Sequence, residues 1–197
     1  IENLRKAPSG FTSEESASTL LVGLTAYRML VHRVNLRVGE RVLVIGSGGG
    51  VNSIAIQLAK HLGGIVHAVC GGVKKCKTAM NLGARYTVDY FADPEWERHL
   101  KIQNAGEGYD VIIVNVGAKT WSKSLKLASQ GGRIVTVGNT TGPIAETDIR
   151  YIFVKQLSIL GSTMGSHADF AELLKLLNSG AIKPVIDCEI PLSDGAN

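Results

Sequence analysis

Positions 46–52, Gly-Ser-Gly-Gly-Gly-Val-Asn, are the stretch whose residue types and spacing most clearly suggest chemistry. Apart from Ser47, positions 46–50 carry no side chain, so the backbone can turn sharply and bring its N–H groups against a ligand. Val42 to Ile45, just before, is continuously apolar, as in a strand buried on both faces. Val51 to Leu62, just after, places Ile54, Ala55, Leu58, Ala59 and Leu62 at helical spacing. A strand, a glycine turn and a helix aim unpaired amides and the positive end of a helix dipole at one point, which suits a pyrophosphate. The same residues would also serve a plain tight turn. The strand before and the helix after them are the context that favours a ligand.

The elements that must position this turn follow from periodicity and punctuation. Thr12-x-x-Glu15 has capping-box spacing and opens a helix, with a second over about 23–34. After Gly63 the alternation is regular. Strands are expected at 65–70, 86–90, 110–116, 133–137 and 157–160. Helices are expected at 73–82, from Asp93-Pro94 to about 105, and at 120–128, 148–155 and 168–177. Residues 185–190 suit a last strand. Six strands alternating with helices imply an α/β Rossmann fold, a doubly wound parallel sheet of order 3-2-1-4-5-6. Its ligand edge is the carboxyl end of the strands, at the switch point between strands 1 and 4. The division is a helical lead-in over 1–36, a dinucleotide-binding domain over 37–184, and a return segment over 185–197 that reads as cut short.

Composition bounds the rest. A chain of 197 residues, 45% hydrophobic, is ample for one α/β core. No apolar run approaches the ~18 residues of a membrane span. No leader pattern opens the chain, and the three cysteines have no metal-ligand spacing, so a reducing cytoplasm is the expected compartment. The net charge of +4 is scattered except at Lys74, Lys75 and Lys77, which argues for one local anion site and against a nucleic-acid surface. The five histidines lack partners at catalytic spacing, and neither a catalytic residue nor a metal ligand is expected within the chain.

Four segments carry a resemblance: Gly23-Leu-Thr-Ala-Tyr-Arg28, the glycine stretch with Ala55-Ile-Gln-Leu-Ala-Lys60, Val137-Gly-Asn139 with Thr141-Gly142, and Ile159-Leu-Gly-Ser-Thr-Met164. In this order they resemble the coenzyme-binding domain of the medium-chain dehydrogenase/reductase superfamily, the zinc alcohol dehydrogenases and quinone oxidoreductases. The resemblance implies a GroES-like catalytic domain outside this chain. It implies hydride transfer between a nicotinamide cofactor and an alcohol/carbonyl, quinone or enone. It also implies a homodimer paired through the edge of strand 6, where Leu157-Ser-Ile-Leu160 carries neither Pro nor charge. Three positions depart from the family. Asn52 stands where a third glycine is usual, either contacting the pyrophosphate or capping the helix. Leu21 stands four residues before Thr25, where zinc-dependent members place a metal ligand, so zinc is expected only if the missing domain supplies it. Strand 2 ends in Cys70-Gly71-Gly72 without an acid.

That missing acid matters, because a carboxylate ~20 residues beyond the glycines holds the ribose diol of NAD. Gly71 with the following lysines favours NADP(H) over NAD(H), although a solvated helix face would read the same way. The resemblance adds Lys75 and Tyr90 at the 2′-phosphate. Ser47, Gly49, Gly50, Val51 and Asn52 are the expected pyrophosphate cradle. The resemblance puts Asn115 and Gly117 beside the ribose, and Gly138, Asn139, Ser162 and Thr163 facing the nicotinamide, with Thr25 bordering it. Turn chemistry alone would also explain each. Two rival readings remain. One is a nucleotide-binding module without catalysis. The other is a short-chain dehydrogenase using Tyr151-x-x-x-Lys155, in which the Lys would lower the Tyr pKa. Against the latter stand the short interval from Asn115 to Tyr151 and the absence of a suitably placed Ser.

Overall fold

The computed structural model describes residues 4–195; the first three residues of the lead-in and the last two of the return segment lie outside the described residues. The central strands explain the architecture. β1 (Arg41–Ile45) and β4 (Tyr109–Val114) are neighbours at the switch point of a six-stranded parallel sheet ordered β3-β2-β1-β4-β5-β6. Alternate side chains of a strand point to opposite faces. Val42, Val44, Val111 and Ile113 therefore enter one core with the helices α1 (Ser13–Tyr27), α2 (Gly50–His61), α3 (Val73–Leu82) and α7 (His167–Asn178). Leu43, Ile45, Ile112 and Val114 enter the other, beneath α4 (Trp96–Gln103), α5 (Ala118–Leu127) and α6 (Ile149–Val154). Apolar on both faces, these strands can only be buried between two helical layers. The remaining strands are β2 (Ile65–Cys70), β3 (Tyr86–Asp89), β5 (Ala128–Thr136) and β6 (Ser158–Gly161). The expected class and strand order are those observed.

The expected elements need correction at four places. The two expected helices before β1 are one: α1 runs without a break into π-helical turns over Arg28–Arg33. Gly23 does not end a helix but lets α7 approach, since a Cβ there would lie 3.0 Å from a Leu173 methyl. α4 begins at Trp96 rather than Pro94, because the Asp93 carboxylate accepts the Glu95 amide in a preceding turn. β5 begins at Ala128, earlier than expected, directly after α5. Residues 185–190 form no strand; Val185, Ile186 and Ile190 are exposed and pair with no neighbour. Among the described residues no helix is long and apolar enough to cross a membrane.

Candidate cofactor-binding site

The glycine turn leaves β1 at Ile45 and is tied to the end of β2, where the Gly46 and Ser47 amides both donate to the Val69 carbonyl. Gly46 has φ +84°, and a Cβ there would lie 2.7 Å from a Val116 methyl. Gly48, Gly49 and Gly50 are exposed. Unlike α1 and α7, which carry capping boxes, α2 has no side chain bonded at its amino end. The amides of Gly50, Val51 and Asn52 have no acceptor inside their helix. They face the carboxyl edge of the sheet, as an anion site requires.

The Asn52 side chain takes neither of the two roles expected for it. It is buried, its Nδ2 donates to the carbonyls of Ile45 and Gly46 at 2.9 Å each, and its Oδ1 accepts from Asn115 Nδ2 at 2.6 Å. The two carbonyls fix which end of the amide is nitrogen. Asn52 thus clasps the glycine turn to the end of β4, leaving only its backbone N–H for a ligand. Ser47 is also buried and donates to Cys70 Sγ at 2.9 Å. Burial is the main reason that the Cys70 thiol is pushed up to about 12, so it stays protonated.

Beyond β2, Gly71 lies under Tyr90: a Cβ there would fall 2.6 Å from the phenol oxygen. One acid stands here that was not expected. Asp89 ends β3, and its Oδ1 accepts the amides of Gly72 at 2.8 Å and Phe91 at 3.0 Å. Those two bonds, Gly72 first, hold its carboxyl below the usual range. Lys75 reaches back across the turn, its Cδ so close that a Cβ on Gly48 would meet it at 2.5 Å. Lys74 and Lys75 line a cavity of about 450 Å³ with Ser47, Gly48, Gly49 and Gly50, and Val185 to Asp187 close its far side. A second cavity of about 310 Å³, mostly apolar but edged by Lys119 and Lys123, lies between Tyr90, Phe91, Trp96 and Val116 beside Gly46.

The ends of β4, β5 and β6 frame a cavity of about 610 Å³, lined among others by Gly117, Gly138, Asn139, Gly142 and Ser162. Close backbone approach explains the glycines: a Cβ on Gly138 would lie 2.7 Å from the Asn115 carbonyl oxygen. Asn115 Oδ1 and Ser162 Oγ are buried atoms without a hydrogen-bond partner among the described residues. Thr163 is exposed beside them, whereas Thr25 is buried and turns its hydroxyl to the Leu21 carbonyl at 2.8 Å. The site residues taken from the sequence, Thr25 excepted, therefore gather on the carboxyl edge of the sheet. Val116, Phe91, Asp89 and Trp121 join them without having been foreseen. A flanking position next to a motif glycine is the only sequence signal that any of them carries.

The Tyr151–Lys155 pair is not part of this edge. Lys155 Nζ donates to the carbonyls of Leu125, Lys126 and Ala128 at 3.1, 2.8 and 2.8 Å, closing the last turn of α5. All three ammonium protons are engaged there. The Lys155 carbonyl accepts from Gly131, near the amino end of the sheet, opposite the glycine turn. Among the described residues, no three His, Cys, Asp or Glu side chains converge to hold a metal ion, and Leu21 is an exposed apolar residue.

Glycine turn, uncapped helix and orphaned polar atoms on one sheet edge define a nucleotide-binding domain of the doubly wound kind. The family profile described as "Zinc-binding dehydrogenase" matches residues 50–179. The chain is 31% identical to a quinone oxidoreductase of Pseudomonas aeruginosa over 99% of its own length and 62% of that protein's. It is 35% identical to an NAD-dependent alcohol dehydrogenase of Sulfolobus acidocaldarius, over 92% of its length and 52% of that protein's. Among solved structures it is similar to a 2-octenoyl-CoA carboxylase reductase in complex with NADP and 2-octenoyl-CoA. There the TM-score is 0.85 at 32% identity, covering 92% of this chain and 45% of that one. The chain belongs to the zinc-binding dehydrogenase family of the medium-chain dehydrogenase/reductase superfamily, and it is the coenzyme-binding domain. It spans about half the length of the relatives it matches.

Proposed function

We propose that this chain binds NADP(H) for an oxidoreductase that moves a hydride between the nicotinamide and a small alcohol/carbonyl, quinone or enone substrate. One observation carries the reading: Lys75 lies across the exposed glycine turn, and β2 itself ends in Gly71 rather than in an acid. The residues present fit a dinucleotide. Gly49, Gly50, Val51 and Asn52 would hold the pyrophosphate with their amides, and Ser47 would fix the turn through Cys70. The slot between Tyr90 and Val116 suits an adenine. Asn115, Gly117, Gly138, Asn139 and Ser162 would line the ribose and nicotinamide, and Thr163 would border them from outside. Thr25 would act through the packing of α1. The bound cofactor supplies the hydride; this chain orients the ring and selects the cofactor.

No side-chain cluster among the described residues fits zinc, which would need its ligands from outside this chain. Asp89 is an ionised carboxylate whose Oδ1 is engaged by the Gly72 and Phe91 amides, so Lys75 and its neighbouring lysines must outweigh its charge at a 2′-phosphate. A hydrogen bond to a charged group contributes about 1.5–3 kcal/mol. Lys75→Ala is therefore expected to weaken NADPH binding about 10- to 150-fold and to leave NADH nearly unchanged. Fluorescence titration of both cofactors at low and high salt checks this; equal losses for both would make Lys75 part of a solvated helix face.

Two further readings follow. The chain alone should turn over no substrate, because among the described residues no acid, base or metal cluster meets the nicotinamide end. A panel of alcohols, aldehydes, enones and quinones tests that, and turnover by these residues alone would sink it. The chain should also dimerise through β6, whose Ser158 and Ile159 are exposed at the sheet edge. Arg33 Nε already donates to the Gly161 carbonyl at 2.7 Å, so the open stretch is 158–160. Light scattering that shows only monomer at high concentration would remove this pairing. Three free thiols suit a cytoplasmic setting.

A further inference from the structure

A cavity of about 290 Å³ opens beside the end of β6, lined by Arg28, Arg33, Gly161, Ser162 and Thr163. Its charge is set by a buried carboxylate. Asp169 is 3% exposed, and its two oxygens pair with Arg28 at 3.1 Å and His32 at 2.7 Å. Burial alone would push its pKa up, but the Ser166 amide, Arg28, the Ser166 hydroxyl and His32 together hold it below the usual carboxylate range. Asp169 therefore fixes Arg28 in place with one of its guanidinium nitrogens. Arg33 is fixed differently, by its Nε–H on the Gly161 carbonyl, and has no acidic partner among the described residues. The third donor is the Ser162 hydroxyl, a buried atom without a hydrogen-bond partner. A hydroxyl left so is costly unless something completes it. Two anchored guanidiniums and an unmatched hydroxyl around one cavity have a shared complement, an oxyanion.

We propose that this cavity is a substrate subsite in which Arg28, Arg33 and Ser162 receive a carboxylate or phosphate carried away from the reacting carbon. Ser162 also lines the cavity of about 610 Å³ that Gly138 and Asn139 share. One ligand can thus have its reacting end at the nicotinamide and its anionic end between the arginines. The reading of the anion as part of a substrate rests on the proposed cofactor function; the anion site itself does not.

The test needs no cofactor. Inorganic phosphate and, separately, acetate are titrated into the whole chain at constant ionic strength, with chloride as control. The Arg33 Nε–H and Thr163 amide resonances report on this cavity, and the Gly49 amide reports separately on the glycine turn. Saturable shifts at Arg33 and Thr163 with either anion are expected, and the tighter of the two identifies the group. Arg33→Gln and Ser162→Ala should each weaken that binding about tenfold or more. Ser162→Ala leaves the Arg33–Gly161 contact intact, so the test survives if Arg33→Gln folds poorly. Shifts no different from those with chloride, or equal affinity in Ser162→Ala, would overturn the proposal. A failure of NADPH to bind would leave these resonances readable.

Discussion

Gly117→Ala is expected to lower stability by about 3 kcal/mol or more and to abolish measurable cofactor binding. Gly117 has φ +91° and ψ −139°, a region essentially reserved for glycine. A Cβ there would also lie 2.7 Å from the Gly142 carbonyl oxygen and 2.9 Å from Asn139 Cα. Both neighbours are backbone, and the Ala118 and Thr141 amides already tie this crossing together, to the carbonyls of Gly142 and Val116. The strain cannot be relieved by turning a side chain. It would spread the loops after β4 and β5, which are the floor of the proposed nicotinamide end. Gly180→Ala is the control, with φ +74° and open space around its Cβ. It should cost about 1–2 kcal/mol. For a domain of this size, calorimetry should find Gly117→Ala melting about 6–12 °C lower than wild type. A fall no larger than that of Gly180→Ala would show that the contact is soft.

Asn52→Gly should be destabilising even though it restores the third glycine of the usual dinucleotide fingerprint. The substitution removes the donors to Ile45 and Gly46 and the acceptor for Asn115. The buried Asn115 amide would be left unpaired at a cost of about 1–3 kcal/mol, and the Ile45 and Gly46 carbonyls would each lose a donor, although Gly46 keeps the Gly49 amide. Glycine inside α2 adds about 1 kcal/mol. A net loss of about 3 kcal/mol is expected, with weaker dinucleotide binding because the turn is no longer clasped to β4. Asn52→Asp separates shape from chemistry. It keeps the acceptor for Asn115 but would set a carboxylate oxygen against two carbonyls, so it should be at least as damaging. Urea unfolding of the three proteins measures this, and a glycine variant as stable as wild type would refute the clasp.

The fold was legible because its signals were redundant. Val42–Ile45 and Ile112–Val114 are apolar without alternation, and that pattern fits only strands covered on both faces. The glycine turn was legible for the same reason, since strand, turn and helix each pointed to one layout. Errors arose where one residue type serves two purposes. Gly23 looked like a helix boundary, yet it is a packing notch for Leu173. Residues 185–190 have strand composition but meet no strand edge. Asn52 could not be read locally, because its partner Asn115 lies 63 positions away. Asp89 carries no local signal, because the acid of a ribose site is expected at the end of β2. Parallel pairing sets Cys70 opposite Asp89 and so brings the carboxylate across from the next strand.

We propose that the glycine turn and Lys75 make this chain an NADP(H)-binding rather than an NAD(H)-binding domain. It is tested most directly by titrating NADPH and NADH into the unmodified chain while following the amides of Gly49, Val51 and Asn52. NADPH should saturate these resonances at concentrations about 10- to 150-fold lower than NADH does, with the difference shrinking as salt is added. Equal affinities for the two cofactors, or saturation that leaves those three amides unmoved, would contradict it.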